Sequence, residues 1–158
     1  MVNDNSELIP WTNKFACGIK LIDDQHKGLV DLVNEMFNHV TGNEKEEKEY
    51  FDKVIKKAIN YVRIHFATEE RIMLATRFKG YAEHKRKHDT FVLAVVDNVR
   101  AFQFSKRFTL FTFTKFLKEW VLTHIAVMDK QYFEYLKNIA TRKANGKLSI
   151  NKADVVSG

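Results

Sequence analysis

Along four long stretches of this chain, histidine and acidic residues stand where the apolar rhythm calls for core side chains. The clearest stretch runs Phe51, Val54, Ile55, Ala58, Ile59, Val62, then His65, Phe66, Glu69, Ile72 and Met73, in the three-and-four spacing of a helix face. An earlier one carries His26 ahead of Leu29, Val30, Val33, Met36, Phe37 and Val40. A later one places His84 and His88 ahead of Phe91, Val92, Val95, Val99 and Phe102, and the last places His124 within Phe113, Phe116, Leu117, Trp120, Met128 and Tyr132. One proline and six glycines among 158 residues leave these stretches unbroken, which favours helices. Gly42 is expected to end the first helix, Asn43 to open the second, Gly80 to mark the next turn, Ser105-Lys106-Arg107 to break the pattern, and Thr109 to cap the fourth helix. The expected fold is all-α: an antiparallel up-down four-helix bundle over residues 21–140, an N-terminal arm over 1–20 and a loose basic tail over 141–158. The first helix is expected to begin at about Asp23.

Three short pieces concentrate the chemistry: HFATEE from His65, HKRKH from His84 and HIAVMD from His124. Residues four apart share a helix face, so His65 and Glu69 point inward together, as do His84 and His88. Buried without a partner, each such polar group loses on the order of 1–3 kcal/mol, and a dication supplies a partner for all of them. Imidazole and carboxylate donors without thiolate suit a first-row transition metal such as iron. Seven candidate ligands (His26, His65, Glu69, His84, His88, His124 and Asp129) are too many for one ion and suit two. A single His-x-x-x-His is a weak signal, since a lone histidine on an apolar face is usually a satisfied core residue; a donor on the inward face of every helix is not. His124 and Asp129 are five apart, roughly 140° around an ideal helix. Either a long side-chain reach or a local widening of the turn would reconcile them. His39 stands outside the pattern and reads as a surface or C-cap histidine.

The arm WTNKFACGIKLIDDQH, with HFATEERIM, EHKRKHDTF and HIAVMDKQY, resembles the hemerythrin family, specifically its bacterial branch, over about residues 8–140. The interval from His26 to His65 is longer than in the animal oxygen carriers, and RFKGYAEH stands where Tyr-Pro often precedes the paired histidines. The resemblance implies two non-haem irons joined by an oxo or hydroxo bridge. His84, His88 and His124 would bind one, His26 and His65 the other, and Glu69 and Asp129 would bridge. The two-histidine iron would keep one position for dioxygen. Leu29, Phe66, Trp120, Val121 and Ile125 are the expected walls of that oxygen pocket; they would exclude water. Val121 occupies a place where the animal proteins commonly have leucine, so a roomier pocket and faster autoxidation are expected.

Composition narrows the alternatives. The net charge of +6 invites a nucleic-acid reading, yet residues 141–158 alone hold a net +3 and the remainder alternates with acids, as in EKEEKEY from Glu44. No specific nucleic-acid binding is expected. No apolar run of about 18 residues suggests a membrane span. The start lacks a basic region followed by an apolar run, and the lone Cys17 cannot form an internal disulfide. A cytoplasmic protein, monomeric or weakly oligomeric, is expected. Reversible dioxygen binding for storage, delivery or scavenging, without enzymatic turnover, is the leading expectation. The alternatives are an oxygen or redox sensor domain and a di-iron oxidase or peroxidase. Five imidazoles against two carboxylates favour carriage over substrate oxidation, since ferritin-like oxidases use carboxylate-rich sites.

Overall fold

The computed structural model describes residues 7–104 and 109–144. These form a four-helix bundle, with no strand among the described residues. A 3₁₀ turn, Asn13–Phe15, precedes α1 (Lys20–Asn38), α2 (Glu44–Ala75), α3 (Tyr81–Phe104), α4 (Leu110–Thr123) and α5 (Asp129–Ala144). Between α4 and α5 the chain makes a π-helical turn, His124–Met128. His124 and Asp129 at its ends both keep right-handed helical angles, so α4, the wide turn and α5 make one continuous rod. α1 packs on α2 and on α4, and α2 on α3. No helix among the described residues is long and apolar enough to cross a membrane.

Each terminus has a local cause. The Asn43 side chain accepts from the amides of Lys45 and Glu46 and so caps α2. Thr109 accepts from the Thr112 amide and caps α4, as its position suggested. α1 begins three residues before Asp23. Asp23 serves instead as the first-turn acid, accepting from the amides of Cys17 (2.7 Å) and Gly18 (3.1 Å) and tying the arm to the helix. The helix ends at His39, whose ring reaches the Glu35 carbonyl at 2.8 Å and stacks on Tyr50, while Gly42 takes the left-handed φ of +77° in the turn that follows. Inside α1, a side chain at Gly28 would collide with the Tyr61 ring, so glycine lets α2 approach closely. The rod extends to Ala144, past the expected boundary at 140. The expected break at Ser105–Arg107 and the tail from residue 145 lie outside the described residues.

Two apolar clusters fill the interior. The larger includes Leu29, Val33, Phe51, Ala58, Phe91, Phe113 and Leu117; the smaller comprises Cys17, Ile22, Met73, Tyr132 and Phe133. In sequence order His26 falls between Ile22 and Leu29, Glu69 between Phe66 and Met73, and Asp129 between Ile125 and Tyr132, each between members of the two clusters, while His65 and His124 directly precede Phe66 and Ile125 of the larger one. The polar residues therefore form a layer inserted across an apolar bundle.

Candidate metal centre

The structure brings all seven expected donors into that layer. His26, His65, Glu69, His88, His124 and Asp129 are at most 1% exposed, and His84 is 7% exposed. Their ligating atoms form two groups, each within 4.8 Å internally: Glu69 with His84, His88 and His124, and Glu69 with His26, His65 and Asp129. The carboxylates span both. Asp129 Oδ1 lies 3.3 Å from His84 Nε2 and 3.2 Å from His124 Nε2, while its Oδ2 lies 3.3 Å from His26 Nε2. Glu69 Oε2 sits 3.3 Å from His88 Nε2, 3.5 Å from His84 Nε2 and 3.6 Å from His65 Nε2; its Oε1 lies 3.9 Å from His26 Nε2.

The π turn resolves the awkward five-residue interval. The Asp129 amide donates to the His124 carbonyl, a wide i to i+5 bond. That bond brings residues five apart onto one face, as four apart would be in an α-helix. Of the two ways to reconcile the spacing, the helix widening is the one found.

Neighbouring groups fix the imidazoles. His26 Nδ1 donates to the Phe15 carbonyl at 2.9 Å, which turns Nε2 and its lone pair toward the centre. The N-terminal arm thus positions a ligand through its backbone. His65 Nδ1 donates to Gln25 Oε1 at 3.3 Å, and the Gln25 amide donates on to Thr68 Oγ1 at 3.0 Å. His88 Nδ1 donates to Glu70 Oε1 at 3.0 Å. Tyr132 donates its hydroxyl to Glu69 Oε1 at 2.8 Å. Aromatic rings clamp the plane of two ligands: Phe66 stacks on His88 at 3.7 Å, and Trp120 on His124 at 4.4 Å. Gln25, Glu70, Tyr132 and the Phe15 carbonyl carry no pattern in the sequence that marks them for these roles; Tyr132 alone is legible, as a core residue one turn from Asp129.

The donor set fits a metal pair by its own deficiencies. Among the described residues, the buried side-chain atoms without a hydrogen-bond partner are His26, His65 and His84 Nε2, Glu69 Oε2, both Asp129 oxygens and His124 Nδ1. All but the last face the interior of the cage. With the imidazoles neutral, each such orphan costs about 1–3 kcal/mol, large beside the roughly 5–15 kcal/mol stability of a typical domain. Cations in the cage would remove most of that cost. His88 Nε2 and His124 Nε2 approach to 3.1 Å; adjacent donors about 2.1 Å from one octahedral ion lie roughly 3.0 Å apart.

Electrostatics agree. Burial opposes charge on His26 and His84, but the carboxylates of Asp129 and Glu69 overcome it and raise both to about 9. Protons there occupy the role a cation would take. Burial dominates at His65 and lowers it to about 4, leaving a neutral imidazole. Burial also pushes Glu69 and Asp129 upward, yet the surrounding imidazoles hold both below the ordinary carboxylate range. Burial together with Glu69 and Asp129 raises Tyr132, so its phenol stays protonated as a donor.

The expected oxygen-pocket residues divide. Leu29, Trp120 and Val121 line an apolar cavity of about 20 Å³, together with Val33, Val62 and Leu117 among others. Phe66 is buried against His88, and Ile125 is buried within the π turn; neither borders that cavity. Val33, one turn beyond Leu29 on the α1 stripe, was within reach of helical phase.

A family model described as the hemerythrin HHE cation binding domain matches residues 17–136. The chain belongs to the hemerythrin family. It is 32% identical to the bacteriohemerythrin of Methylococcus capsulatus over 127 residues, covering 79% of this chain and 94% of that protein. It is 28% identical to that of Stenotrophomonas maltophilia, covering 82% of each. Among solved structures, wild-type hemerythrin matches with a TM-score of 0.69 at 32% identity over 80% of this chain and 96% of the other. A hemerythrin mutant with leucine replaced by tyrosine gives 0.71, with 81% and 96% covered. The family match and the two histidine groups come from the same interval of sequence, so the fold and the candidate cation site support each other.

Proposed function

We propose that this hemerythrin-family chain binds dioxygen reversibly at a non-haem di-iron centre. His84, His88 and His124 would hold one iron, His26 and His65 the other, and Glu69 and Asp129 would bridge them. The observation that carries this reading is the placement of both carboxylates against both histidine groups, with Asp129 Oδ1 and Oδ2 turned to opposite sides. Two ferrous irons would lend electrons to dioxygen and recover them on its release. The remaining chemistry belongs to the chain. Three imidazoles on one side and two on the other leave the His26/His65 side one donor short, which is where an exogenous ligand fits. Leu29, Trp120 and Val121 border an apolar cavity of about 20 Å³, room for about one small neutral molecule and dry by its lining. We assign Phe66 and Ile125 to the apolar packing that supports this region. Exclusion of water and stray protons favours reversal over irreversible oxidation. Tyr132, held protonated, donates to Glu69 and keeps that carboxylate from rotating.

The preponderance of imidazole over carboxylate supports binding rather than substrate oxidation. Anaerobic reduction of the iron-loaded protein, admission of oxygen and its removal, followed by absorption spectroscopy, test the reading. A colour that appears with oxygen and bleaches on removal is expected over repeated cycles. Steady oxygen consumption ending in a permanently ferric spectrum would replace the binder with an oxidase.

A further inference from the structure

An open apolar groove of about 370 Å³ separates α2 from the outer half of α3. Its walls are Ile59 and Val62 from α2 and Val92 and Val95 from α3, and its floor is Phe113 and Leu117 from α4. Ile59, Val92 and Val96 are 49%, 46% and 40% exposed, so these apolar side chains face solvent along one slot. Its volume lies within the roughly 300–1,000 Å³ of small-molecule sites. Two charged groups border it. Glu70 already accepts from His88 and lies 3.9 Å from Lys85. Arg63 is exposed on the rim, donates to the neutral Asn60 Oδ1 at 3.2 Å, and has no carboxylate ion pair among the described residues. Lys56 lies two helical turns earlier on the same edge.

We infer that this groove binds a free linear carboxylate of the fatty-acid class. The guanidinium of Arg63 takes the carboxylate, and the alkyl chain runs away from the metal layer along Ile59, Val92 and Val95 toward Phe113. An apolar trough with an uncommitted cation, Arg63, among its lining residues matches an apolar body with one anionic end. A second copy of the chain fits less well, because a stable partner face needs about 800 Å² from each side and this surface is a slot edged by Lys56 and Arg63. The end of α5 at Ala144 lies on the opposite side of the metal layer from the groove. The inner wall of the groove includes Phe66, whose ring stacks on His88, so the site adjoins the candidate metal centre without sharing its ligands.

Isothermal titration calorimetry of the purified full chain with decanoate tests this, independently of iron or oxygen. One saturable site per chain is expected, with a negative heat-capacity change from apolar burial. Decylammonium, with the same tail and the opposite head, is expected to bind at least about tenfold more weakly. Arg63→Gln, on the surface, should weaken decanoate about tenfold at an unchanged melting temperature, and Val95→Trp should fill the groove and abolish binding. Absence of saturable decanoate binding overturns the proposal, as does equal affinity for both heads or indifference to Arg63→Gln. So does a sedimentation-detected dimer that Val92→Glu dissociates and decanoate does not, which would assign the groove to a second copy.

Discussion

At the scale of single residues, Tyr132 and Val121 carry the most specific consequences. Tyr132 is fully buried and gives its only proton to Glu69 Oε1 at 2.8 Å. Tyr132→Phe leaves that oxygen without its donor while preserving the ring, so a loss of about 1–3 kcal/mol is expected. It should appear as a melting midpoint several degrees lower; an unchanged midpoint would show that Glu69 does not depend on the phenol. Val121, 2% exposed, borders the small apolar cavity together with Leu29 and Trp120. Val121→Leu adds one methylene into that space and should lengthen the lifetime of the oxygenated protein, measured as the decay of its absorption band. An equal or shorter lifetime would count against the cavity as the oxygen pocket. Six of the seven candidate donors stand out at this scale because each falls on an apolar stripe, whereas Asp129 stands off its stripe and is marked only by its nearness to His124. The groups that orient them were not legible. Gln25 and Glu70 lie beside His26 and Glu69 in sequence, but their partners are His65, 40 residues away, and His88, 18 residues away. A carbonyl such as that of Phe15 has no side-chain signature at all.

Among the elements, the π turn is the decisive departure from regular geometry. It occupies His124–Met128 and places Asp129 on the face of His124. Periodicity indicated a conflict at this spacing without choosing its solution, because backbone widening and side-chain reach satisfy the same sequence. An inserted residue accommodated as a wide turn implies that removing one residue restores an α-turn. Deletion of Val127, which is 58% exposed, should therefore leave the histidine and the aspartate four apart, still on one face. Iron retention close to wild type is expected by metal analysis after gel filtration; loss of half or more of the iron would show that the widened backbone itself is required. Helix ends were legible where a side chain caps them, as at Asn43 and Thr109. The start of α1 was misplaced because Asp23, which resembles a cap, instead holds the arm from inside the first turn.

Over the whole molecule, a polar layer divides two apolar clusters, and the bundle cannot satisfy that layer from its own groups. A metal held in that layer would therefore couple its binding to folding. Iron removal by a chelator under reducing conditions should lower the melting temperature, and ferrous iron should restore it; equal melting with and without iron would break that coupling. The helical bundle was readable from the spacing of apolar residues and the scarcity of glycine and proline. The open face between α2 and α3 was not, since Ile59, Val92 and Val96 follow the same core rhythm as their buried neighbours. The central claim concerns the number of ions the seven residues hold. Iron quantified per chain after anaerobic loading and removal of excess metal tests it most directly. The account predicts about two irons per chain, falling below one in Asp129→Ala, which removes a donor from both histidine groups. One iron per chain in the wild type, or two retained in Asp129→Ala, would contradict it.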